Sequence, residues 1–208
     1  MRETWVIKIG SSLVTKSPTG LDVKNIRSWA SQINEIINNN INVIIVSSGA
    51  IAEGMNRLGL VKRPNSSSQL QALAAIGQMG LIKAYEVSFK KYGLLTAQML
   101  LTHEDLSDRE RYLNARNTLS NLIKYNTIPI INENDTISTD EIKFGDNDTL
   151  ASLVANLSEA KNLIILTDQN GLYTSDPKIN ESAELVENIS VTNKKLNKYA
   201  GPSNNTLG

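Results

Sequence analysis

The chain has 208 residues, and its 21 lysines and arginines balance 21 aspartates and glutamates, so its formal net charge is zero. With 40% hydrophobic residues it can bury one core or a tight pair of lobes, and the charge balance argues against a strongly basic nucleic-acid surface. The absence of cysteine excludes disulfides, zinc thiolates and a thiol nucleophile, and the one histidine, His103, leaves a serine–histidine triad a single place to form.

The N-terminal Arg2 and Glu3 lead straight into the apolar run "WVIKI" (5–9), with no signal-peptide core between them. No stretch reaches the length of a membrane span, so a cytoplasmic protein is expected. The run ends in "KIGSS". The longer stretch "KIGSSLVTKS" (8–17) nearly spells a P-loop, but Thr15 stands where the second glycine belongs, and Lys8 precedes Gly10 instead of following the glycines into a helix. Lys8 can still act as a point charge on a phosphate, with the amides of Gly10, Ser11 and Ser12 at close range. The bland reading is an edge-strand lysine in water.

Ile26, Trp29, Ala30, Ile33 and Ile37 recur every three or four residues and mark a helical face, with Asp22 placed to cap it. "NVIIVS" (42–47) reads as a second strand. It runs into "SSGAIAEG", where Ser48 and Gly49 can offer a hydroxyl and amides to an anion or simply cap a helix. Residues 68–91 read as a long helix, 94–101 as a weaker strand, and 108–124 as a helix carrying Leu119, Leu122 and Ile123.

"TIPII" (127–131) is a further strand. Beyond it "INEND" and "GDND" (145–148) gather acids, including Asp135, Asp146 and Asp148. These carboxylates could hold a divalent metal or grip the ammonium of an amino acid, while Asp140 and Glu141 read as solvated. The spacing does not fit a calcium loop. A helix over 147–157 and a strand "NLIILT" (162–167) follow. The loop "TDQNGLY" comes next, where Asp168 can hold a lysine through a charge-assisted hydrogen bond.

Apolar runs alternating with helices predict an α/β fold, a three-layer α/β/α sandwich around a mainly parallel sheet. In such sheets ligands collect beyond the carboxyl ends of the strands. The polar loops after the first, second, fourth and last runs therefore point to one composite site.

The strings "VIKIGSS", "IVSSGAIAEG", "LAAIGQMGL", "QMLLTHEDLSDRERYLNARNTL", "IPIINENDTIS", "KFGDNDTLAS" and "LIILTDQNGLYTSDP" run nearly from end to end. On them the chain resembles the amino acid kinase family and, within it, the glutamate 5-kinase branch. The resemblance implies ATP-dependent phosphorylation of the γ-carboxylate of L-glutamate to glutamyl 5-phosphate, in proline biosynthesis, with ATP and Mg²⁺. It implies that Lys8 and Asp168 are catalytic, that Lys8, Gly10, Ser11, Thr167 and Asp168 face the nucleotide, and that Ser48, Gly49, Asp135 and Asn147 hold glutamate. Asp146 and Asp148 would lie beside that site, and no residue is assigned to hold a metal. Proline as a feedback inhibitor and a homo-oligomer are expected from the same source.

The family pattern continues with a Thr-Gly-Gly-Met segment and a second ATP-binding lysine, neither of which occurs here. Residues 1–208 are thus expected to form an incomplete kinase domain without a PUA domain. The competing readings are another amino acid kinase, or a non-catalytic amino-acid sensor on the same scaffold.

Overall fold

The computed structural model describes residues 2–16, 20–138 and 147–199. Five strands form one sheet: β1 (Thr4–Ile9), β2 (Asn42–Ser47), β3 (Leu95–Leu101), β4 (Thr127–Glu133) and β5 (Asn162–Leu166). Their order is β3-β4-β2-β1-β5, and every pairing is parallel. All five carboxyl ends therefore share one rim. Across the middle of the sheet Lys8 stands level with Val46, and Val46 with Ile131.

The helices are α1 (Ser11–Val14), α2 (Val23–Asn38), α3 (Ala50–Arg57), α4 (Ser67–Lys90), α5 (His103–Ser107), α6 (Arg109–Lys124), α7 (Asn147–Leu157) and the short α8 (Leu196–Tyr199). Side chains of a strand alternate between faces, and each face has its own core. Ile7, Ile9, Val43, Ile45, Ile128 and Ile130 pack with Ile26, Ala30 and Ile33 of α2 and with Leu81, Tyr85 and Phe89 of α4. Val6, Ile44, Val46 and Ile131 pack with Leu119 of α6 and with Leu150, Val154 and Leu157 of α7. The result is the expected α/β/α sandwich. Asp22 caps α2 by accepting from Asn25 N at 3.0 Å.

The secondary structure departs from the sequence reading at β5 and at the helix expected from residue 108. "NLIILT" reads as a strand covered on both faces, yet β5 is an edge strand whose Ile165 is 42% exposed. The helix expected from residue 108 is preceded by the separate α5. Thr102 and Asp105 cap each other reciprocally at its start, and Asp108 accepts from Arg111 N at 2.9 Å to begin α6.

The approach of α3 to α4 determines the geometry of the rim. A Cβ on Gly77 would stand 1.8 Å from Ala50 O, and one on Gly54 2.0 Å from Leu73 O. The two helices thus meet backbone to backbone, which only glycine permits. The contact fixes the start of α3, where Gly49 turns the chain at φ 111° and a Cβ would press to 2.8 Å from Val14 Cγ1.

Candidate active site

Lys8 occupies a position where an apolar side chain is expected, since β1 is internal and the residue lies on the face of Val6, towards α7. Its side chain is 11% exposed, and its Nζ sits 2.5 Å from Asp148 Oδ1. A buried ammonium needs such a partner to offset its desolvation. Asp148, half-exposed in the first turn of α7, also sits where the helix dipole favours negative charge. A Cβ on Gly10 would stand 3.5 Å from Lys8 Nζ, so glycine leaves the space over the ammonium open. Gly10 N donates to Leu166 O at 3.2 Å, which ties this turn to β5. The first amides of α1 have no carbonyl one turn earlier to bond. The reading of Lys8 as a hydrated edge residue is therefore overturned.

A second cluster lies at the ends of β2 and β4. Asn147 Nδ2 donates to Ser48 Oγ at 2.7 Å and to Asn132 Oδ1 at 3.0 Å, with a longer contact of 3.4 Å to Ser47 O. Asn132 Nδ2 donates in turn to Gln78 Oε1 at 2.9 Å. Ser47 Oγ lies 2.9 Å from Tyr85 OH, and burial pushes the Tyr85 phenol well above its ordinary pKa. All six side chains are buried. Parallel β-pairing sets neighbouring strands about 4.8 Å apart, so β1 and β4, separated by β2, hold their ends about 10 Å apart. Lys8, near the end of β1, and the Asn147 cluster thus both lie at the carboxyl rim of the sheet.

Asp135 sits half-buried in the turn after β4. The Arg63 guanidinium, whose pKa burial lowers, feels the opposing charge of Asp135. Gln71 Nε2 donates to Ser138 O at 3.2 Å, which links the start of α4 to the same turn. Asp146, with Asp140 and Glu141, lies outside the described residues. Among the described residues no group of three histidine or acidic side chains could hold a metal ion.

Thr167 and Asp168 are exposed just past β5, and Thr167 Oγ1 donates to Asp168 Oδ1 at 3.3 Å. The expectation that Asp168 holds a lysine is not met for Lys8, whose partner is Asp148. Thr167 borders an open groove of about 420 Å³ with Leu13, Trp29 and Gln169. A cavity of about 460 Å³ occupies the opposite rim, between Arg2, Asn42, Arg116 and Leu157, and none of the expected site residues lines it.

Sequence reasoning passed over Asn132, Gln78, Ser47 and Tyr85. Two of them carried a readable signal. Asn132 is an amide near the end of the otherwise apolar "TIPIIN", and Gln78 interrupts the small and apolar run "LAAIGQMGL".

A model of the amino acid kinase family matches residues 3–201. The chain is 56% identical over 203 residues to the glutamate 5-kinase of Nitrosospira multiformis, covering 98% of this chain and 55% of that protein. It is 55% identical over 210 residues to the glutamate 5-kinase of Hahella chejuensis, covering 100% of this chain and 54% of that one. The chain spans about half the length of the curated relatives it matches. A crystal structure of aspartate kinase from Synechocystis superposes with a TM-score of 0.55 at 16% identity, covering 88% of this chain and 31% of that one. At that identity the likeness concerns the fold alone.

Proposed function

Because the chain belongs to the amino acid kinase family, we propose that its carboxyl rim serves the ATP-dependent phosphorylation of the γ-carboxylate of L-glutamate, yielding glutamyl 5-phosphate for proline biosynthesis. The observation that carries this reading is the buried Ser48–Asn132–Asn147 cluster beside the Lys8–Asp148 pair. Relatives named glutamate 5-kinase, more than half identical along nearly the whole chain, support the choice of acceptor.

The acceptor carboxylate is ionised at neutral pH, so no general base is needed. A γ-carboxylate oxygen attacks the γ-phosphorus, the bond from that phosphorus to the bridging oxygen of ADP breaks, and ADP leaves with the electron pair. The obstacle is the approach of an anion to a polyanion, so the work is positioning and charge stabilisation. Lys8 supplies a cation fixed in place by Asp148, and Gly10 and Ser11 supply open backbone beside it. Ser48, Gly49 and Asn147 hold the amino acid, with Asp135 placed for its α-ammonium. Thr167 and Asp168 face the nucleotide on the β5 side. The metal arrives with the nucleotide as MgATP.

On this reading residues 1–208 form part of the kinase domain of a cytoplasmic enzyme that works as a homo-oligomer and takes proline as an inhibitor in the glutamate subsite. Among the described residues no helix is long and apolar enough to cross a membrane. Titration calorimetry tests the assignment. Binding of both L-glutamate and MgATP is expected, whereas glutamate binding without MgATP would favour an amino-acid sensor, and binding of neither would refute the proposal.

A further inference from the structure

Asn147 Nδ2 carries two hydrogens, and Ser48 Oγ and Asn132 Oδ1 take them at 2.7 and 3.0 Å. Asn132 can present its oxygen to Asn147 only while its own Nδ2 points the other way. There it meets Gln78 Oε1 at 2.9 Å. Ser47 O, 3.4 Å from Asn147 Nδ2, can only accept and anchors this direction at one end, while Gln78 Oε1 takes the last hydrogen on the α4 side. Reversing the Asn132 amide would set two N–H groups against each other at Asn147 and two oxygens against each other at Gln78.

Gln78 is 7% exposed and Asn132 2%. Gln78 Nε2 is buried and has no hydrogen-bond partner among the described residues. A buried unpaired donor is destabilising, so the side chain is poorly accounted for as a stability element. An apolar residue of its length would remove that donor.

We propose that Gln78 is a positioning residue. Together with Ser47 O at the other end, its Oε1 holds the amide polarity of Asn132 and Asn147, so that the Ser48 hydroxyl hydrogen is left to donate to a substrate carboxylate and Asn147 Oδ1 is turned to accept from a substrate ammonium. The inference deepens the glutamate reading and rests on it for the identity of the ligand. It adds α4 to the elements that decide how tightly an amino acid is held.

The test compares the unsubstituted chain with Gln78→Met, which keeps length and removes the acceptor, and Gln78→Glu, which keeps an acceptor oxygen. The side-chain amide NMR signals of Asn132 and Asn147 are recorded, and L-glutamate and MgATP affinities are measured by calorimetry. Gln78→Met should shift both amide signals and weaken L-glutamate by about tenfold, with MgATP affinity and Tm little changed. Gln78→Glu should restore most of the loss. Unshifted Asn147 signals in Gln78→Met, or an equal loss in both variants, overturns the positioning role. Signals that shift in Gln78→Met and return in Gln78→Glu, in a chain that binds no L-glutamate, uphold the positioning role and overturn the substrate reading.

Discussion

The Lys8 ammonium rests 2.5 Å from the Asp148 carboxylate, joining an internal strand to the first turn of a helix 140 residues later in the chain. The pair explains how a lysine persists inside an apolar strand. It also places a fixed positive charge at the rim, backed by a carboxylate that water still reaches.

Replacing that charge tests its role. Lys8→Met keeps the stem that packs in β1 and removes the ammonium. The turnover rate should fall by about 10²–10³-fold, the usual scale for one electrostatic contact to the transition state. The KM for L-glutamate should stay within about threefold, because the role proposed for the lysine is on phosphate. Steady-state ADP release measures both, and an unchanged kcat would remove Lys8 from the mechanism.

Asn147→Ala acts on the other half of the rim. It leaves the buried Asn132 Oδ1 and the Ser48 hydroxyl without their shared donor. A stability loss of about 1–3 kcal/mol is expected from the unpaired groups, together with a rise in KM for L-glutamate and an unchanged KM for MgATP. Thermal unfolding and a two-substrate kinetic matrix separate the two effects.

Much of this arrangement was legible in the sequence, for physical reasons. Apolar runs such as "NVIIVS" mark strands buried on both faces, and the parallel-sheet rule then sends their polar ends to one rim. Lys8 and Ser48 stand out in that way, whereas Asn147 is singled out only by the family resemblance. The partner of Lys8 was not legible, because a choice between Asp148 and Asp168 depends on which side of β1 the lysine faces. β5 misled for a similar reason: Ile165 is as apolar as a core residue, and only the strand order shows that it stands at an edge. Gln78 breaks an apolar helical run, but one amide carries no periodicity that would give it a partner or a role.

The backbone contact of α3 with α4 predicts an asymmetry among glycines. Gly77→Ala would drive a Cβ to 1.8 Å from Ala50 O, where no side chain can yield. It should cost about 2–4 kcal/mol or prevent folding, and any folded fraction should bind L-glutamate poorly because α3 starts at Gly49. Gly59→Ala meets nothing within 4 Å and has only its positive φ of 66° against it. A loss of about 1 kcal/mol is expected there. Denaturant unfolding of the two variants checks the contrast, and similar losses would contradict the packing account.

Asp105 supplies a pH-dependent contribution at the start of α5. Burial pushes its carboxyl pKa up, but the Thr102 backbone and hydroxyl and the nearby Arg111 outweigh this and hold it below the ordinary value. A lowered folded-state pKa means that the stabilisation is complete above the unfolded value and is lost as pH falls through the folded one. Asp105→Ala should therefore destabilise by about 1 kcal/mol at near-neutral pH, and the difference should close below about pH 4. Thermal unfolding across that range measures it, and a difference independent of pH would assign the effect to packing.

The central claim is that Lys8 and the Asn147 cluster hold a phosphate and a glutamate on one rim for transfer between them. Hydroxylamine tests it most directly, because it converts an acyl phosphate into a stable hydroxamate. With L-glutamate and MgATP, this chain carried in a protein of its relatives' full length should form γ-glutamyl hydroxamate, and the Lys8→Met variant of that protein should not. Saturation by both substrates with no hydroxamate formed, or equal yield from Lys8→Met, would contradict the account.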